Sequence, residues 1–272
     1  MTRSPDAPAT PPGPRKKGPP RRIDVSTIEP LSTRMVRIGF TGADLASFEW
    51  RGPAGHLKLI VPADGEHEAS VPAPDGPRSP LMRTYTPRRF DAAAQRLDLD
   101  FVLHDHGPAG RWAMRAQVGD RLAMMGPAPG YRIDTDARWF LLIGDDTALP
   151  AIESILEELP ATASAQVLIE VHGEDEARPL RSAAAVDVRW LARGGDVRSA
   201  GAALLDAVQG MGALPSGPGR IYVGCESAAM RRIRQHLIDQ RQVERSLLVT
   251  RGYWQLGEAN HPDQDYGDDG GA

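Results

Sequence analysis

One change of pattern constrains this chain more than any other feature. Up to about Asp136, apolar and polar residues alternate in short runs; from Arg138 the apolar residues come in unbroken runs and then at helical spacing. In HLKLIVP, Leu57, Leu59 and Val61 share one face. In QRLDLDFVLH, Leu97, Leu99, Phe101 and Leu103 face one way, and Asp98, Asp100, Val102 and His104 the other. Period-two alternation marks strands with one buried face. Gly and Pro punctuate at GPAG, PADG, PAPDGP and GPAPG, so this half is read as an antiparallel barrel. WFLLIG then suits a strand covered on both faces. In the next stretch, DDTALPAIESILEEL, Ile152, Ile155, Leu156 and Leu159 form one helix face, with Pro150 in the first turn. Strands AQVLIEV and VDVRWLA, helix AGAALLDAV, strand RIYVG, helix SAAMRRIRQHLIDQ and strand SLLVTRGYW follow. Alternating strand and helix predicts a doubly wound, mainly parallel α/β domain. The expected domains are 22–137 and 138–257, with a ligand in the cleft between them.

The flanks differ from both domains. Residues 1–21 are rich in Pro and carry Arg3, Arg15, Lys16, Lys17 and Arg21 against Asp6. They hold too little apolar surface to offset their ordering entropy and are expected to be a disordered tail. Residues 258–272 are expected to be an acidic disordered tail. The net charge of −4 over 272 residues argues against a nucleic-acid partner. No apolar run is long enough to span a membrane, and no secretory h-region precedes the first domain. Cys225 is the only cysteine, so no intrachain disulfide is possible. The chain is expected to be cytoplasmic and monomeric.

Three segments have the chemistry of a binding site. MRTYTPRRF places Arg83 and Tyr85 on one face of a strand and Thr86 on the other. Arg offers a bidentate fork to phosphate, Tyr a flat apolar face and Thr a hydroxyl; an ordinary solvated strand is the plainer alternative. FVLHDHGPAGRWAMRA runs from a strand through His104 and His106 into Gly107, Pro108, Ala109 and Gly110, then a helical stretch from about Arg111. A Gly-containing turn into a helix N-terminus suits a pyrophosphate, or is a plain turn with Trp112 as core. LLIGDDTALPA is the first strand–turn–helix of the α/β domain but lacks the G-x-G-x-x-G spacing. Asp145 and Asp146 suit helix capping there, or a hydrogen bond to a ribose hydroxyl.

Taken in series, RTYTPR, LDLDFVLHDHGPAGRWA, VGDRL, LLIGDDTALPAIESILEELP, YVGCESAAMRRIR and GYWQLG resemble the siderophore-interacting protein family of flavoprotein ferric-siderophore reductases, within the ferredoxin reductase superfamily. The resemblance spans roughly Arg22 to Gly257. It implies a six-stranded flavin-binding barrel and a bound FAD. Arg83 is then expected on the phosphate side, Tyr85 on the isoalloxazine and ribityl portion, and Thr86 near the redox-active nitrogen. Phe101, Val102 and His104 line the strand-side wall, and Gly107, Pro108 and Ala109 turn around the pyrophosphate with Trp112 behind. Asp145, Thr147 and Ala148 reach the adenosine end or the nicotinamide. Three positions depart from the family pattern: Gly110 stands where a serine is usual, Asp146 where GDET has glutamate, and Gln255 where GYWR has arginine.

The implied activity passes electrons from NADH, NADPH or ferredoxin through flavin to a ferric siderophore, releasing Fe(II). Lys58, Arg231 and Arg251 are candidates for a basic rim facing an anionic chelate; Arg232 and Arg234 are expected on the outer face of the helix after Ser227. Alternatives are a general NAD(P)H:flavin or ferredoxin-type reductase and a siderophore-binding module without enzymatic activity.

Overall fold

The structure is a computed structural model and describes residues 19–73, 76–262 and 266. The two basic and acidic flanks therefore lie largely outside the described residues. Strands β1 (Arg21–Pro30), β2 (Met35–Thr41), β3 (His56–Ile60), β4 (Met82–Tyr85), β5 (Pro87–Asp91), β6 (Arg96–Val102) and β7 (Arg121–Ala128) build the first domain, with helix α1 (Pro108–Arg115) between β6 and β7. Strands β8 (Trp139–Asp145), β9 (Ser164–Val171), β10 (Ala185–Ala192), β11 (Gly219–Glu226) and β12 (Leu248–Trp254), with helices α2 (Leu149–Glu158), α3 (Ala202–Gln209) and α4 (Ser227–Asp239), build the second. No helix among the described residues is long and apolar enough to cross a membrane.

The first sheet is antiparallel, in the order β4-β3-β7-β1-β2-β6-β5. It is barrel-like, but the ladder holds seven strands rather than six and is not closed by hydrogen bonds. The cause lies in MRTYTPRRF. Pro87 has no N–H to give to a ladder, and the register slips between Pro87 and Arg89. The segment breaks at Thr86 into β4 and β5, which sit at opposite edges of the sheet. Inside, Leu57, Leu59, Leu97, Leu99, Phe101 and Trp112 form one core with Phe40 and Ile38.

The second sheet is parallel, in the order β10-β9-β8-β11-β12. β8 is buried along its whole length, as its unbroken apolar run requires. Phe140 and Leu142 join the α2 face, while Trp139, Leu141 and Ile143 join the α3–α4 face. Each fully buried large side chain is worth about 1.5–3 kcal/mol, so this one strand anchors both layers. On α4, Met230, Ile233 and Leu237 point inward and Ile238 is half-buried. Arg234 does not point out: it is buried, whereas Arg231 and Arg232 are exposed.

The two domains meet on the face of β6 that alternation assigns to solvent. Asp98 and Asp100 are buried there. Arg37, directly opposite Asp100 across the β2–β6 ladder, gives it two hydrogen bonds of 2.7 and 2.8 Å. Arg88 of β5 reaches Glu153 at 2.9 Å and Glu157 at 2.7 and 2.9 Å, both on α2, and Arg178 reaches Glu153 at 3.1 Å. Three arginines thus face three carboxylates across the junction. Burial pushes Glu157 up, but the hydrogen bond and charge of Arg88 outweigh it and hold this carboxyl below its usual range. A second clasp joins the β1–β2 turn to the loop after β9: Ser32 to Glu176, Thr33 to Asp175 at 2.8 Å, and Arg34 to His172 at 3.2 Å.

Candidate functional site

The β4–β5 bend sets Thr86 two residues from Arg88, which reaches α2 across the junction, with Arg83 and Tyr85 on the β4 side of the bend. The Tyr85 ring packs on Phe101 with centroids 4.4 Å apart. Phe101 in turn meets Trp112 at 5.4 Å. Phe101 and Trp112 are fully buried in the barrel core, so the Phe101 ring supports the wall through Tyr85 instead of facing a ligand. Val102, one residue on, packs against the core of the second domain.

Arg83 is half-buried and donates to the carbonyls of Pro80 at 2.8 Å and Met82 at 2.7 Å. Burial holds its guanidinium below the ordinary range, and the like charge of Arg111 adds to the effect. Arg111 is itself held by Asp64 and by the carbonyl of Asp105, each at 3.3 Å, so an anion would share this guanidinium with Asp64 while Arg83 offers its charge and fork. Helix α1 starts at Pro108, three residues earlier than the sequence predicts. Gly107 is its N-cap, with no side-chain cap hydrogen bond, so its first N–H groups and its dipole remain for an anion. His104 lies behind this turn. Burial pushes its imidazole below the usual range, with His106 adding to the effect. Arg83, Arg111 and the α1 N-terminus together fit the diphosphate of a dinucleotide such as FAD.

Gly110 is explained by packing. A Cβ there would collide with the carbonyl oxygen of His104 and come within 2.8 Å of its ring. Gly110→Ser is therefore expected to lower the midpoint of thermal unfolding, at an overpacking cost of about 1–3 kcal/mol, rather than to improve a phosphate contact. Melts with and without FAD check this: a variant as stable as the parent that binds FAD more tightly would sink it.

Across the cleft, at the carboxyl end of β8, the capping expectation for Asp145 and Asp146 is not met. The α2 N-cap is Ala148, with no side-chain cap bond. Asp145 instead ties three strands together. One oxygen accepts from the N–H and hydroxyl of Thr147, at 3.0 and 2.5 Å. The other accepts from the N–H of Glu226 at 3.0 Å and the indole of Trp254 at 2.8 Å. Asp146 pairs with Arg193 at 3.0 Å, which also lies 3.7 Å from buried Glu170.

Burial, reinforced by the charge of Asp145 and opposed by Arg193, pushes the Asp146 carboxyl up to about 7. Because the folded value lies above the unfolded one, this group contributes its full stability at low pH and loses it as pH rises through about 7. Asp146→Asn is expected to gain on the parent by roughly a few kcal/mol between about pH 4 and pH 8. Urea midpoints at the two pH values measure it, and a gap that does not widen with pH would count against it.

Of the three rim candidates, Lys58 donates to Thr84 at 2.8 Å on the outer side of β3, and Arg231 is exposed on α4. Arg251 stacks over the Tyr266 ring at 4.3 Å. It lines a cavity of about 290 Å³ at the β12 edge with Arg234, Arg245 and Thr250. His261, assigned to the acidic flank by composition, meets the Ser227 hydroxyl at 2.8 Å. Arg88 and Glu153 meet across the junction and Tyr222 packs on Tyr131; all three lie inside the motifs quoted from the sequence, but no motif shows which of its residues pair with another element.

Residues 24–131 match the family described as the siderophore-interacting FAD-binding domain, and residues 137–257 the family described as siderophore-interacting protein. Among similar proteins, the ferric vibriobactin reductase ViuB of Vibrio cholerae is 29% identical over 257 residues, covering 90% of this chain and 94% of ViuB. The NADPH-dependent ferric-chelate reductase of Escherichia coli is 35% identical over 150 residues, covering 53% of this chain and 58% of that protein. A siderophore utilization protein from T. fusca superimposes with a TM-score of 0.80 at 36% identity, covering 90% and 96% of the two chains. The ferredoxin-NADP+ reductase of Plasmodium falciparum, at 11% identity and a TM-score of 0.66, shares the fold. With both halves matched and the barrel-then-α/β order in place, the chain belongs to the siderophore-interacting protein family.

Proposed function

We propose that the chain is an FAD-dependent ferric-siderophore reductase, with NADH, NADPH or ferredoxin as electron donor. The observation that supports this reading is the uncapped N-terminus of α1, close enough to Arg83 for the Arg111 charge to act on it, on the domain that carries Tyr85 and Thr86. In it Arg83, Arg111 and the first N–H groups of α1 hold the diphosphate, with Gly107, Pro108 and Ala109 forming the turn. Tyr85 covers the flat ring system, and the Thr86 hydroxyl meets its reactive edge. His104 and Val102 close the wall. Asp145, Thr147 and Ala148 border the opposite side, where Asp145 fixes the Trp254 indole. When bound, FAD accepts two electrons together and releases them singly.

The substrate is Fe(III) held by hard oxygen donors. Fe(II) is bound less tightly by such donors, so reduction frees the metal and leaves the chelator intact. No nucleophile or general acid is required of the protein. Lys58, Arg231 and Arg251 are the candidate contacts for an anionic chelate. The name of the Escherichia coli relative supports a nicotinamide donor. A nicotinamide donor suits a cytoplasmic location, which we propose for the chain together with action as a monomer.

The test is an absorbance spectrum of the purified protein with FAD, followed by anaerobic NADH or NADPH and then a ferric siderophore. Flavin bands that bleach and then return are expected. Bands that only chemical reduction bleaches would move the donor to ferredoxin, and failure to take up FAD would overturn the reading.

A further inference from the structure

The β12 edge of the second sheet carries an arginine-lined cavity that the flavin site does not include. Its volume is about 290 Å³, and its wall contains Arg234 of α4, Arg245 just before β12, Thr250 and Arg251 of β12, and Tyr266. Arg234 is buried, Arg251 half-buried and Arg245 exposed. Among the described residues of this wall there is no aspartate or glutamate. An arginine cannot shed its proton in a protein, and a charge drawn out of water needs an opposite charge beside it. At ~30 Å³ per water, the cavity has room for carboxylates together with several waters.

After β12 the chain returns to this edge. The N–H of Leu256 donates to Glu226 at 3.3 Å, and His261 meets the Ser227 hydroxyl at 2.8 Å. At Tyr266 the backbone carbonyl accepts from the Thr250 hydroxyl, and the ring lies under the Arg251 guanidinium, 4.3 Å away. Tyr266 is thus pinned to the cavity wall at two points. Its sequence neighbours are acidic: Asp265 precedes it, and Asp268 and Asp269 follow. A chain spans at most about 3.3–3.6 Å per residue, so all three acids are tethered within about 11 Å of an anchored position.

We propose that this cavity is an oxyanion site filled in cis by the carboxylates flanking Tyr266, with Asp265, Asp268 and Asp269 as its ligands. The planar fork of arginine matches carboxylate and phosphate alike, so a free oxyanion takes the same place once these side chains are removed. Arg251 is also a candidate chelate contact, and an anionic chelate there would displace them. The docked segment covers the outer side of β12, which ends its sheet and pairs with β11; an open edge otherwise offers its N–H and C=O groups to another chain.

The experiment is a set of thermal melts of the full chain, with inorganic phosphate as the probe and sodium chloride at matched ionic strength as the control. The parent is compared with the triple variant Asp265→Asn, Asp268→Asn and Asp269→Asn. Loss of the three carboxylates is expected to lower the unfolding midpoint by roughly 2–4 °C at low salt. Phosphate should restore the midpoint where chloride does not, because it binds the folded chain alone, and the parent should gain no more from phosphate than from chloride. Arg245→Gln, at the exposed end of the wall, should weaken the phosphate rescue, and its own cost should shrink in the triple background. A triple variant that melts with the parent, or one that phosphate and chloride restore equally, overturns the proposal. A difference between parent and triple variant that vanishes on dilution places the acids on a second copy and overturns docking in cis. Each of these outcomes leaves the reductase reading intact, because no arm of the experiment involves FAD.

Discussion

Arg88→Ala is expected to destabilise the folded chain by about 3–5 kcal/mol, the range for removing one partner of a buried ion pair. The Arg88 and Glu153 side chains are each only 8% exposed. Arg88 also holds Glu157 through two hydrogen bonds and lies 3.9 Å from Asp100, whose side chain is fully buried. Truncation leaves these carboxylates with Arg37 and Arg178 alone, in a space water enters poorly. Removing charge from both sides should cost less: Arg88→Met combined with Glu153→Leu is expected to recover part of the loss. Guanidinium unfolding of the single and double variants measures this. A single-variant cost below about 1 kcal/mol would mean that the junction behaves as an exposed surface pair. Because Arg88 lies two residues from Thr86, a looser junction should also weaken flavin retention.

Arg83→Ala is expected to weaken FAD binding by about 2–4 kcal/mol, roughly 30- to 700-fold in Kd. The half-buried guanidinium lies near a second arginine and is already partly desolvated. An anion beside Arg83 would offset the burial of its charge, the main reason its guanidinium is lowered; Arg111, paired with Asp64, adds less. Arg83→Lys keeps the charge and loses the fork, so it should fall between the parent and Arg83→Ala. Fluorescence titration with FAD gives the three constants. Unchanged affinity in Arg83→Ala would remove Arg83 from the phosphate site and leave it as a tie for the carbonyls of Pro80 and Met82.

Much of the architecture was legible in the chain itself. Period-two alternation in β3 and β6, the unbroken run of β8 and the apolar stripe of α2 are local patterns, each set by how one element must face its core. They identify the barrel-like and α/β halves and place the domain change near Arg138. The segments proposed for the site could be singled out for the same reason: Arg83-Tyr85-Thr86 and Gly107-Pro108-Ala109 are contiguous, so their chemistry can be read without knowing what packs on them.

Tertiary structure decided what depends on partners distant in sequence. Alternation gives Asp98 and Asp100 a solvated face, yet both are buried: Arg96 compensates Asp98, and Arg37 and Arg88 compensate Asp100 where α2 closes over it. A carboxylate in an alternating strand looks the same whether water or an arginine from another element compensates it. Asp145 likewise looks like a helix cap locally, yet its oxygens are taken by Glu226 and Trp254, 81 and 109 residues away. Tyr222 and Tyr253 stand in two of the quoted motifs, yet nothing local shows that their hydroxyls meet at 2.8 Å, because their strands become neighbours only in the folded sheet. Periodicity alone determined the elements and their order. Which buried polar groups pair across the junction was decided only when the two domains came together, because hydrogen bonds and ion pairs act over a few ångströms of space and are blind to separation along the chain.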